Sequence, residues 1–144
     1  MSEGSLTIGD RFTCLCAWLL LPVVSLILRQ RGFRRTERLL SGLRVSRTSL
    51  ADPEAELQRA RRTGELVSLA VDARRRPVSS LDQAMTLWWM LGLLGIHTSM
   101  RVGIYEQGGE AQAHAWVLLR DQVLIGETGA MDASPIVDVR FDRS

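Results

Sequence analysis

Ser80, His114 and Glu127 are the residues whose types and spacing fit acyl-transfer chemistry: a hydroxyl nucleophile, an imidazole base and a carboxylate that orients the imidazolium. Ser80 stands at the expected start of a helix, where first-turn amides stabilise anions and developing negative charge. The other two are placed by a hairpin. If Arg120-Asp121 is a two-residue turn, Leu119 faces Gln122, Trp116 faces Ile125 and His114 faces Glu127. Directly opposed residues project from one face, with Cβ atoms about 4.5 to 5.5 Å apart. Asp121 then sits at the hairpin tip, about 20 Å from His114 at about 3.3 Å per residue, and is excluded as its partner. Asp132 is the fallback if the turn is longer. On residue types alone the signal is thin, because a serine at a helix start is most often only a cap and a strand histidine most often structural.

The elements that must position these residues can be read from patterning. Ser80 followed three residues later by Gln83 has the form of a capping box, ahead of the apolar run AMTLWWMLGLLG. A helix from Ser80 to about Gly95 follows. The period then switches to two: Ser99 to Tyr105 alternates polar residues with Met100, Val102 and Ile104, EQGGE is a turn, and Gln112–Leu119 and Val123–Glu127 are the next strands. These make a three-stranded antiparallel meander, with one more short strand at Ile136–Arg140. Trp88, Trp89 and Trp116 are expected in the core rather than in a pocket.

The first half reads as helical. Phe12–Leu28, FTCLCAWLLLPVVSLIL, carries no charge, but it is at the short end of what spans a bilayer, and Pro22 and Ser25 interrupt it. A buried or interfacial helix is expected there in preference to a transmembrane anchor. A secretory signal fits poorly, since Asp10 and a single Arg11 precede the run and no small-x-small site follows it. Arg34–Leu43 is a short basic helix closed near Gly42, followed by the polar link VSRTSLADP. Asp52 as N-cap and Pro53 at the first helical position open the next helix, with Ala55, Leu57, Ala60, Leu66, Leu69 and Ala70 on its apolar face. Gly64 is a possible break or kink, and Pro77 ends the segment. The fold class is α+β in one domain, 1–144: a helical basic part over 1–76, then a helix and antiparallel strands over 77–144.

Composition sets outer bounds. The chain has 144 residues, 46% apolar and 24% charged, enough for one core and too apolar for disorder. Cys14 and Cys16 supply neither a disulfide framework nor a four-ligand zinc site, and no metal or cofactor is expected. All 18 basic residues are arginine. Residues 1–76 hold 14 Arg against 8 acidic residues, and residues 77–144 hold 4 against 8, so the net +2 hides a basic front and an acidic back. Nucleic acid is not an expected partner, because Arg29, Arg31, Arg34, Arg35, Arg38, Arg59, Arg61, Arg62 and Arg74–Arg76 alternate with Leu and Ala instead of stacking aromatics.

Residues 80–127 resemble the lasso-peptide leader peptidases, small bacterial cysteine proteases with a transglutaminase-like, papain-related core. The catalytic helix of that family opens Cys-Leu-x-x-Ser/Ala-Leu/Met-x-Leu-Trp-Trp-Leu-Leu-x-x-x-Gly-Ile, which aligns with Ser80–Ile96 here. Its Arg-Ile-Gly-Val strand appears as Arg101-Val102-Gly103-Ile104 and its Ala-His-Ala-Trp-Val strand as Ala113–Val117. The resemblance implies removal of the leader from a ribosomally made precursor peptide by a Cys-His-Asp/Glu triad, in the bacterial cytoplasm. It implies as partners the precursor, a small leader-binding protein and a lasso cyclase, with peripheral membrane contact through residues 12–28 left open. The departure is at the nucleophile, where Ser80 replaces cysteine. An engineered change, a natural serine variant and a natural pseudoenzyme all account for it, and the first is expected because everything around Ser80 keeps the family pattern. The third triad member also departs, Glu127 standing where an Asp is usual.

Overall fold

The computed structural model describes residues 5–43, 52–125 and 139–141. Among these residues, four helices, α1 (Ile8–Arg31), α2 (Phe33–Gly42), α3 (Pro53–Asp72) and α4 (Ser80–Leu93), precede strands β1 (Ser99–Gln107), β2 (Glu110–Leu119), β3 (Gln122–Ile125) and β4 (Val139–Phe141). The strands form one antiparallel sheet in the order β3-β2-β1-β4. The fold is α+β, as the patterning indicates. Helix α4 packs on β2, and α1 packs on α3 and α4.

Local chemistry fixes each start. Thr7 Oγ1 accepts from the Asp10 amide at 3.1 Å while Asp10 Oδ2 accepts from the Thr7 amide at 3.0 Å, a reciprocal capping box that begins α1 well before Phe12. Asp52 caps α3 through Oδ1 on the Glu54 amide at 3.0 Å, with Pro53 first in the helix, as the sequence predicts.

Helix α1 contains Pro22 and does not end there. Proline has no amide hydrogen, so the carbonyl four residues back loses its helical donor. That carbonyl belongs to Trp18, and Arg74 Nη1 donates to it at 2.9 Å while the guanidinium lies 5.0 Å from the centre of the Trp18 ring. One arginine two residues past the end of α3 thus restores the missing bond and ties α1 to that end of the helix. Cys14 and Cys16 are partly buried free thiols against the core.

A second clamp joins the same helices near the other end. Arg62 Nη2 meets Asp10 Oδ2 at 2.9 Å, and this hydrogen bond, with that from the Thr7 amide, lowers the Asp10 pKa to about 2. A carboxylate whose folded-state pKa is depressed contributes stability above its unfolded pKa of about 4, and that contribution is lost as pH falls through the folded value. Arg62→Ala is therefore expected to melt earlier than the parent at neutral pH, with the gap closing between about pH 4 and pH 2 in a melting series.

Gly64 neither breaks nor kinks α3, contrary to the sequence expectation. It is buried, and a Cβ built there would lie 2.9 Å from the carbonyl oxygen of Leu124 in β3. The glycine is a point of close backbone approach between helix and strand. Gly64→Ala gains about 1 kcal/mol of helix propensity, but the clash works against a backbone atom and overpacking costs about 1 to 3 kcal/mol. Urea unfolding should show net destabilisation; a more stable variant would refute the close approach.

Both hairpin turns are two-residue turns with left-handed central residues: Gly108 and Gly109 between β1 and β2, Arg120 and Asp121 between β2 and β3. The left-handed conformation is unusual for arginine and is offset by contacts to α3: Arg120 Nη1 donates to the Pro53 carbonyl at 3.0 Å, and Nη2 lies 3.4 Å from Oε1 of the buried Glu56. The turn matches the sequence reading, but the register beyond it does not. Leu119 faces Gln122 and Leu118 faces Val123, after which a bulge pairs Val117 with Ile125. The extra residue carries Ile125 into the core beside Val117 instead of opposite Trp116.

Candidate active site

The N-terminus of α4 differs from the expectation by one residue. Ser79, not Ser80, is the cap: its backbone is extended (φ −67°, ψ 154°), and its hydroxyl accepts from the Asp82 amide at 3.1 Å. Gln83 does not reach back to a capping amide; its side-chain nitrogen donates to the Val78 carbonyl at 3.1 Å. The Ser80 side chain is thereby released from capping. As the first helical residue, Ser80, with Leu81 after it, presents an amide that the helix itself cannot satisfy.

Ser80 is partly buried, and its Oγ donates to the carbonyl of Ala113 on β2 at 3.4 Å, a long contact for a hydroxyl donor. The start of α4 therefore lies against the strand at the residue immediately before His114. The helix is held there by its core side chains, Ala84, Met85, Leu87, Trp88 and Leu91, all at most 1% exposed. Ser25 of α1 ties down the first turn by donating to Asp82 Oδ2 at 2.9 Å.

Along β2, Ala115, Val117 and Leu119 join the core shared with the helices. Strand alternation places His114 and Trp116 on the opposite face, where their rings are 6.1 Å apart and tilted by 30°. Trp116 is buried, as are Trp88 and the core-facing residues around it, while Trp89 is partly buried against the core. Gly103 of β1 pairs with His114, and Arg101 pairs with Trp116. The Arg-x-Gly and His-x-Trp segments thus form one cross-strand block, in which the residue opposite the imidazole has no side chain to crowd it. The strand patterning alone does not pair these two segments; their equal two-residue spacing is the signal that could have done so.

Ser80 and His114 meet β2 at adjacent residues, the Ser80 hydroxyl at the Ala113 carbonyl and the imidazole on the face turned away from Ala115, Val117 and Leu119. The bulge removes the register argument that set Glu127 opposite His114, and Glu127 and Asp132 lie outside the described residues. Asp121 is exposed at the hairpin tip. Among the described residues no cluster of three or more His, Cys, Asp or Glu side chains could hold a metal. Two adjoining clefts, of about 400 and 500 Å³, share Arg29, Pro77, Val78 and Asp82, and the second reaches Ser79. A chain lying in them would approach the start of α4 from the α1 side.

A model of the transglutaminase-like superfamily matches residues 22–137. The chain belongs to the transglutaminase-like superfamily. This superfamily comprises transglutaminases and cysteine peptidases, and its match takes in the last part of α1, α2 to α4 and the first three strands. No curated protein and no solved structure matches this transglutaminase-like chain.

Proposed function

We propose that this transglutaminase-like protein is a leader peptidase of the lasso-peptide type, a cysteine-protease architecture in which serine occupies the nucleophile's position. The observation that carries the reading is the Ser80 side chain, free of the cap, at the helix N-terminus and against the strand residue that precedes His114. The paired Arg101/Gly103 and His114/Trp116 segments support it, since they are the two strand motifs of that family. The protein would work in the bacterial cytoplasm as one domain. Its partners would be the precursor peptide, a small leader-binding protein and a lasso cyclase.

With cysteine at position 80, His114 takes the thiol proton and the thiolate attacks the scissile carbonyl carbon at the leader-core junction. The unsatisfied amides of residues 80 and 81 stabilise the oxyanion. Collapse breaks the C–N bond, the imidazolium returns its proton to the leaving amine, and the leader remains as an acyl group on sulfur until water releases it as the carboxylate. Glu127, or Asp132, orients the imidazole. Cysteine suits this location because a helix N-terminus and a neighbouring histidine favour the thiolate, whereas a serine hydroxyl stays protonated and depends wholly on the base. Ser80 itself favours a second reading, a non-catalytic scaffold that binds the precursor for another enzyme.

Incubating the Ser80→Cys variant with precursor peptide and leader-binding partner separates the two. Appearance of free leader by mass spectrometry supports the peptidase; leader binding without cleavage supports the scaffold.

A further inference from the structure

Helix α1 buries Ala17, Leu21 and Val24 and turns a second apolar face outward. Ile8, Phe12, Leu15, Leu19, Val23 and Leu26 are 46% to 89% exposed and recur every three or four residues, forming a stripe about 27 Å long at about 1.5 Å per residue. No charged residue lies between Phe12 and Leu28, and the helix is long and apolar enough to cross a membrane. A continuous apolar stripe of this length exceeds the scattered exposure ordinary for a soluble surface.

Its surroundings are cationic. Arg11 is exposed near one end, Arg29 and Arg31 at the other, and Arg34, Arg35 and Arg38 on α2 beyond them. Arg74 stacks on the half-exposed Trp18, with Arg75 and Arg76 exposed beside it. The acidic residues of α1 and α2 are few: Asp10 is engaged by Arg62, and Glu37 accepts from Ser41. Apolar side chains bordered by arginine and a tryptophan match the boundary between lipid tails and anionic headgroups. A second copy of the chain would instead bring a second set of the same arginines to the first. Four of the six stripe residues, Ile8 to Leu19, also precede the stretch that matches the transglutaminase-like superfamily, so the feature is largely additional to that core.

We propose that the outer face of α1 seats this protein on an anionic lipid bilayer, with the helix lying along the interface. It does not span the bilayer: its inner face packs on α3 and α4, and Ser25, Arg62 and Arg74 tie it to them, so crossing would expose the core and drag charged groups into hydrocarbon.

The full-length chain should float with vesicles of equal parts phosphatidylcholine and phosphatidylglycerol at least about tenfold more than with phosphatidylcholine alone. Phe12→Ser/Leu19→Ser should lose that binding with an unchanged melting temperature, because both side chains are exposed. Equal binding to the two vesicles, or undiminished binding by the double variant, overturns the proposal. So does a homodimer in sedimentation that the double variant abolishes, which would make the stripe a self-association face. Resistance of the bound protein to an alkaline carbonate wash would mean a spanning helix and equally overturn it.

Discussion

Ser80→Cys should raise leader cleavage by at least about a thousandfold over the chain as it stands, an expectation set by nucleophile chemistry. The substitution changes one heteroatom. Because Ser79 supplies the cap and Ser80 does not, the change leaves the hydrogen bond that starts α4 untouched, and the melting temperature should stay near the parent value. Adding His114→Ala should return cleavage to background, since the thiol then loses the base proposed for it. Rates would be measured by mass spectrometry of the released leader under single-turnover conditions. Unchanged cleavage on adding His114→Ala would remove the histidine from the mechanism, and absence of cleavage alongside intact leader binding would leave the scaffold reading in its place.

The second large effect is structural. Trp88 is 1% exposed at the centre of α4 and belongs to the core shared by helices and sheet. Trp88→Ala should cost about 3 to 5 kcal/mol, the transfer of a large aromatic plus the cavity it leaves. Trp89, the next residue, lies only partly within that core, so Trp89→Ala should cost less. Denaturant unfolding of both variants checks the order. Equal losses would show that α4 is rotated from the orientation described, which would also move Ser80 away from Ala113.

Much of the architecture was legible because its signals are local. Asp52-Pro53 marks a helix start by chemistry contained in two residues, and the Arg120-Asp121 turn follows from the alternation on either side of it. The cap of α4 was misplaced by one residue because two adjacent serines each offer a hydroxyl, and each has a capping-box partner three residues on, Asp82 for Ser79 and Gln83 for Ser80. Local pattern cannot choose between them; packing of the helix against β2 does. The bulge in β3 was invisible for a related reason. It is associated with the approach of Leu124 to Gly64, a contact between elements 60 residues apart, and no period in either segment encodes it. Ser80 and His114 stand out as candidates from the residues around them, whereas the proposed third member depended on a register that the bulge does not preserve.

Pro22 opens one rung of α1, and the group that fills it comes from Arg74, three residues before Pro77. The rung acts as a socket into which the linker ahead of α4 is plugged. The first helix and the segment that leads to the candidate nucleophile are therefore pinned to each other at a single backbone carbonyl, and replacing Pro22 by a residue with an amide would set that amide in competition with Arg74 for the Trp18 acceptor.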